Sequence, residues 1–237
     1  AKRANPDCVL YGLALANTSD AIEWATEVFR LGGGAYMDGV SFHPYSNYKS
    51  PEDGNFTEFY DSLKAAMETY NCGDKPIMAS EYGWSSNIFS EEKQAWFLAR
   101  AAALTYDRLE RVLWYVMTEK TWSSATENKF GITHPATDGE LPFEAKPAYL
   151  ALVNFNTMLN GYELKTKNVS DNVYDYEFEK DNYKIHMLWT KKGTEEYTKY
   201  ETGTQAFDIY GNPISVGTYT LSGSPIYVVT DMSARDN

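Results

Sequence analysis

Four short runs that are almost continuously apolar, each followed by a longer segment of helical periodicity, constrain this chain more than any other feature. The runs are VLYGLAL (9 to 15), DGVSFH (38 to 43), KPIMASE (75 to 81) and RVLWYVM (111 to 117). A strand reads as unbroken apolar when both of its faces are covered, which is the condition of a parallel sheet wrapped by crossover helices. Helices are predicted over 19 to 31, 57 to 70, 90 to 109 and 145 to 159. Ser19-Asp20 and Ser90-Glu91-Glu92 supply hydroxyls and early acids for free N–H groups and the helix dipole. Gly32-Gly33-Gly34 closes the first helix, and Pro147 suits the first turn of the last.

After Gly161 the texture changes to Tyr/Val/Thr alternation, with turn signals at Asp181-Asn182, Lys192-Gly193, Gly211-Asn212 and Ser222-Gly223. That pattern predicts six or seven antiparallel strands forming a β-sandwich. The division expected is therefore an α/β domain over 1–160 and an all-β domain over 161–237. His186 falls in an alternating strand and reads as a structural histidine.

The formal net charge of −12 repels phosphate backbones and anionic lipid, so neither nucleic acid nor a membrane surface is expected as a partner. No apolar run approaches the ~20 residues needed to span a bilayer. Two cysteines, Cys8 and Cys72, and three histidines form no cluster with metal-ligand spacing, so neither a metal nor another cofactor is expected. Both cysteines precede strands on the same end of the sheet, but those strands are not neighbours, so no disulfide is expected. The aromatic content of 15%, with 19 Tyr and 6 Trp, suits the C–H faces of sugars, although Tyr-rich sandwiches share it. Sequons at Asn17, Asn55 and Asn168 are compatible with a secretory route.

In parallel α/β barrels the reacting groups lie where strands end. The second run ends in His43-Pro44-Tyr45, the third in Glu81-Tyr82-Gly83-Trp84, and the fourth enters Trp114-Tyr115 with Glu119 and Trp122 beyond. KPIMASEYGW resembles the nucleophile strand of the clan A glycoside hydrolases, and DGVSFHPY the strand before it. FGITHPATDGELPFEAKPAYLAL resembles their connection into the last barrel helix. Glycoside hydrolase family 39 and its relatives are the nearest in pattern, since they too join a barrel to a β-sandwich.

The resemblance implies the C-terminal half of a (β/α)₈ TIM barrel and a retaining glycosidase, in which two carboxylates about 5 Å apart flank the scissile bond. Glu81 takes the place of the nucleophile. Tyr45 is expected to orient it, and His43 to contact either that carboxylate or sugar hydroxyls. Trp114 resembles the sugar-stacking tryptophan of the last strand; a one-residue change of phase puts Tyr115 inward instead. Trp84, Trp122 and Glu119 are further candidate substrate contacts.

The family's acid/base follows an asparagine at the end of the fourth barrel strand, and AKRANPDCVLYG resembles the lead into the fifth. Glu23 and Glu27 fall mid-helix and do not replace it. The chain is thus expected to be a fragment that needs the missing N-terminal half of the barrel, or a second copy, to act on a glycoside or oligosaccharide. An extracellular or periplasmic location accompanies that activity. A non-catalytic carbohydrate-binding or scaffolding module derived from such an enzyme is the alternative.

Overall fold

The computed structural model describes residues 1–46, 48–120, 125–136 and 144–235. They form two compact units, one of Ala1–Gly83 with Thr105–Tyr115, the other of Trp84–Leu104 with the chain from Val116 onward.

The first unit is built on a four-stranded parallel sheet of β1 (Tyr11–Ala16), β2 (Gly39–His43), β3 (Ile77–Tyr82) and β4 (Arg111–Trp114), in that order. Two helices follow the first strands, α1 (Ala21–Arg30) and α2 (Phe56–Thr69). β2 is buried along nearly its whole length. Phe42 stacks on Phe59 of α2 at 5.2 Å and on Phe56 at 6.1 Å. Burying each such ring contributes about 1.5–3 kcal/mol, which is why the continuous apolar run of β2 is decisive here.

Helix α1 starts later than its cap signal suggested. Asp20 is the N-cap residue, but its side chain makes no capping bond and instead accepts the Thr18 hydroxyl at 2.7 Å. Gly32 takes φ +83° just past the helix, the left-handed conformation glycine adopts without cost. β1 is irregular: Leu13 and Ala14 have positive φ at a register shift between Gly12 and Leu15. Among the described residues β1 and β4 each pair with a single strand, and Val112 and Leu113 of β4, which point to opposite faces, are both exposed.

The second unit holds α3 (Glu91–Thr105, up to Leu104), α4 (Pro147–Leu159) and eight antiparallel strands. These are β5 (Glu163–Ser170), β6 (Val173–Lys180), β7 (Tyr183–Thr190), β8 (Glu195–Lys199), β9 (Thr204–Phe207), β10 (Pro213–Ile214), β11 (Gly217–Leu221) and β12 (Ile226–Asp231). Six form one sheet in the order β10-β9-β12-β7-β6-β5, and β11 pairs with β8. The count exceeds the six or seven expected because two-residue β10, beyond the Gly211 turn, pairs with β9. Leu188, Ala206, Tyr219, Leu221 and Val228 form a core drawn from both sheets. Trp189 is fully buried between Tyr174 and Tyr176, at 4.9 and 5.0 Å.

Ser90 caps α3 as its sequence implied, its hydroxyl accepting the Lys93 N–H, and Pro147 opens α4. The fourth apolar run is only partly strand. From Val116 to Thr118 the chain pairs instead with 132–133, the Val116 and Met117 carbonyls accepting N–H groups of Ile132 and Thr133. Among the described residues no helix is long and apolar enough to cross a membrane. Cys8 and Cys72 are both free thiols.

Candidate functional site

In the first unit, the ends of β2 and β3 bring four polar side chains together. The Tyr45 hydroxyl donates to Oε2 of Glu81 at 3.1 Å, and Nδ1 of His43 lies 3.7 Å from the same oxygen. His43 Nε2 is 3.0 Å from the Ser80 hydroxyl. The rings of His43 and Tyr45 meet edge to face at 6.5 Å. The Glu81 side chain is 40% exposed, so the carboxylate is held at one oxygen yet open to solvent.

Tyr45 is itself anchored. Asn17, just past β1, donates its side-chain amide to the Tyr45 carbonyl at 3.1 Å and exchanges amide hydrogen bonds with Asn55, the N-cap residue of α2. The two sequon asparagines thus tie the His43-Pro44-Tyr45 turn to its neighbours. Of the two aromatics at the end of β4, Tyr115 meets Tyr45 edge to face at 6.4 Å, and its N–H bonds the Tyr82 carbonyl. Trp114 is half-buried and pairs with Tyr82 across the sheet. Burial pushes the Tyr82 hydroxyl far above its ordinary range.

Two other expected substrate contacts, Trp84 and Glu119, belong to the second unit. Trp84 is 3% exposed in the second unit, edge-on to Phe97 of α3 at 5.6 Å, and is placed in packing where a sugar contact was expected. Trp122 lies outside the described residues. Glu119, also expected to meet substrate, is enclosed: its two oxygens accept Lys146 Nζ at 2.9 Å and Lys129 Nζ at 2.7 Å. Burial alone would raise its carboxyl pKa, but the hydrogen bonds and charges of Lys129 and Lys146 outweigh it and lower it.

Lys146 is the hub of that cluster. Its fully buried ammonium donates to Glu119, to the Ser86 hydroxyl and to the Gly131 carbonyl, all at 2.9 Å, so all three donors are used. A Cβ on Gly131 would overlap the Glu119 backbone, so that close passage requires glycine. The phenylalanine-glycine and lysine-proline ends of the long sequence motif are therefore one buried joint. Glu91, Glu119 and His134 form a donor group whose ligand atoms lie within 4.8 Å of one another. Lysine ammonium groups already supply positive charge there: Lys146 is also 3.7 Å from Glu91.

The fold is shared with solved glycoside hydrolases of families 39 and 86, and family 39 is the one the sequence motifs resemble. A family 39 glycoside hydrolase from the gut symbiont Bacteroides cellulosilyticus superposes with a TM-score of 0.79 at 21% identity, over 97% of this chain and 52% of that one. A family 39 β-xylosidase from Caulobacter crescentus gives 0.60 at 11% identity, over 97% and 59%. A family 86 β-porphyranase from the human gut bacterium Bacteroides plebeius gives 0.61 at 16% identity, over 96% and 48%. The chain spans about half the length of these solved structures. No protein-family model matches the sequence, nor does any curated protein.

Proposed function

We propose that this chain is the C-terminal portion of a retaining glycoside hydrolase, with Glu81 as the nucleophile that attacks the anomeric carbon. The hydrogen bond from the Tyr45 hydroxyl to Glu81 Oε2 at a pair of parallel strand ends carries the reading. It orients the carboxylate. Because His43 faces the same oxygen, Oε1 is the oxygen assigned to attack.

On this reading the four parallel strands are half of a (β/α)₈ barrel within 1–160, and 161–237 is a β-sandwich. The singly paired strands β1 and β4 and the exposed side chains of β4 fit a sheet that closes against further strands. The acid/base carboxylate then belongs to the N-terminal half. Tyr115 and Trp114 line the sugar subsite, and the substrate is a glycoside or oligosaccharide met outside the cytoplasm.

A 2-fluoro glycoside with an acidic phenol as leaving group traps the covalent intermediate, and peptide mass mapping finds it. With the upstream half supplied, in one chain or as a second polypeptide, label is expected on Glu81. Label on another carboxylate overturns the assignment, and sugar binding without label points to a binding module. The chain alone should show no turnover of natural glycosides, since a general acid contributes about 10²–10⁴-fold.

A further inference from the structure

β3 turns two consecutive polar side chains onto one imidazole. Ser80 Oγ is 3.0 Å from Nε2 of His43, and Glu81 Oε2 is 3.7 Å from Nδ1 of the same ring. In a regular strand successive side chains point to opposite faces, so one ring does not ordinarily meet both. Here the register of β3 with β4 shifts between Ala79 and Tyr82, and the irregularity falls on Ser80 and Glu81.

The two contacts differ in chemistry. An ionised carboxylate only accepts, so the nitrogen facing it must carry a proton for the contact to be attractive. A hydroxyl can donate or accept. With the proton on Nδ1, the lone pair on Nε2 is left for the Ser80 hydroxyl. With the proton on Nε2, the lone pair of Nδ1 would face the Glu81 carboxylate.

We propose that Ser80 is a positioning residue that holds His43 as its Nδ1–H tautomer, the serine hydroxyl donating to Nε2 so that the ring N–H is aimed at Glu81. His43 and Tyr45 then both direct donors at Oε2 of the carboxylate. Ser80 acts through His43. The functional meaning rests on Glu81 being the nucleophile, whereas the tautomer is a property of this chain.

Histidine ¹⁵N chemical shifts of the 237-residue chain read the tautomer directly. The chain has only three histidines, so a His43→Gln variant assigns the signals. At about pH 8, His43 should show a pyrrole-like Nδ1 and a pyridine-like Nε2. Losing one hydrogen bond of about 1 kcal/mol should raise the ratio of Nε2–H to Nδ1–H about fivefold in Ser80→Ala. Ser80→Cys, near in size but a weak donor, should behave alike, and Ser80→Thr should restore the wild-type ratio. Unmoved signals of His134 and His186 report an intact second unit, and unmoved backbone amide signals of β1 and β2 an intact first unit. An unchanged ratio in both Ser80→Ala and Ser80→Cys overturns the proposal. So does a wild-type His43 that is Nε2–H or doubly protonated, a result that needs no variant. Fluorosugar labelling is read separately: label away from Glu81 with the tautomer as expected sinks only the assignment of Glu81 as nucleophile.

Discussion

Oε2 of Glu81 accepts the Tyr45 hydroxyl at 3.1 Å, a contact across 36 residues of sequence between the ends of neighbouring strands. Hydrogen bonds to a charged group contribute about 1.5–3 kcal/mol. On the proposed glycosidase reading, Tyr45→Phe in the chain supplied with its upstream half should therefore lower kcat by about 10- to 100-fold with little change in KM. Steady-state kinetics check this; an unchanged kcat removes Tyr45 from the mechanism.

The buried joint around Lys146 makes a stability prediction. Removing one partner of a buried ion pair costs about 3–5 kcal/mol because the other charge is left uncompensated. Lys146→Met should lower the urea midpoint accordingly, and adding Glu119→Gln should recover part of the loss. Lys129 still serves Glu119 in the single variant, which places the expected loss toward the lower end. A double variant no more stable than Lys146→Met would show that the pair is not coupled.

Acid sensitivity should centre on Asp175, which is buried in β6. Burial raises its pKa, but the His186 ring at 2.6 Å, the Tyr197 hydroxyl at 2.8 Å and the Lys199 ammonium at 3.1 Å outweigh it and bring it to about 2. A carboxyl with a depressed folded-state pKa stabilises the fold above its unfolded value of about 3.9, and that contribution disappears as pH falls through the folded value. About 2–3 kcal/mol should be lost between roughly pH 5 and 1. Asp175→Asn should flatten that part of the stability profile measured by urea unfolding. An equally steep profile in the variant would place the acid sensitivity elsewhere. The same contact holds the Tyr197 phenol protonated, its pKa pushed up to about 12 by burial and the Asp175 carboxylate.

The two thiols should differ in reactivity. Cys8 is partly exposed, whereas Cys72 is buried beneath Gly34, and burial pushes its thiol up, so less of the reactive thiolate forms. Titration of the native chain with a thiol reagent should give one fast and one slow equivalent without reductant. A fast reaction of both would mean that the α1–β2 connection opens readily, and no reaction before reduction would mean a disulfide.

Strand and helix identities were legible because burial on both faces imposes an unbroken apolar run and an amphipathic helix imposes its own period, patterns set by neighbours along the chain. Glu81 at the end of such a run, and His43 and Tyr45 two residues apart at the end of the preceding one, could be marked as candidates for the same reason. His186 read as a structural histidine, and its pairing with Asp175 is the tertiary form of that reading. Boundaries were less legible: RVLWYVM looks like one strand, but its last residues pair with 132–133, a partner that local pattern does not reveal.

By itself, the sequence determined where apolar strands run and which polar groups stand at their ends, since those follow from period and local composition. Only the tertiary structure decided which of those groups meet. It buried Trp84 against Phe97, closed Glu119 between two lysines, and turned Ser80 and Glu81 onto one histidine. Each outcome depends on a register shift, a loop path or a neighbour distant in sequence, and no repeat along the chain encodes distances of that kind.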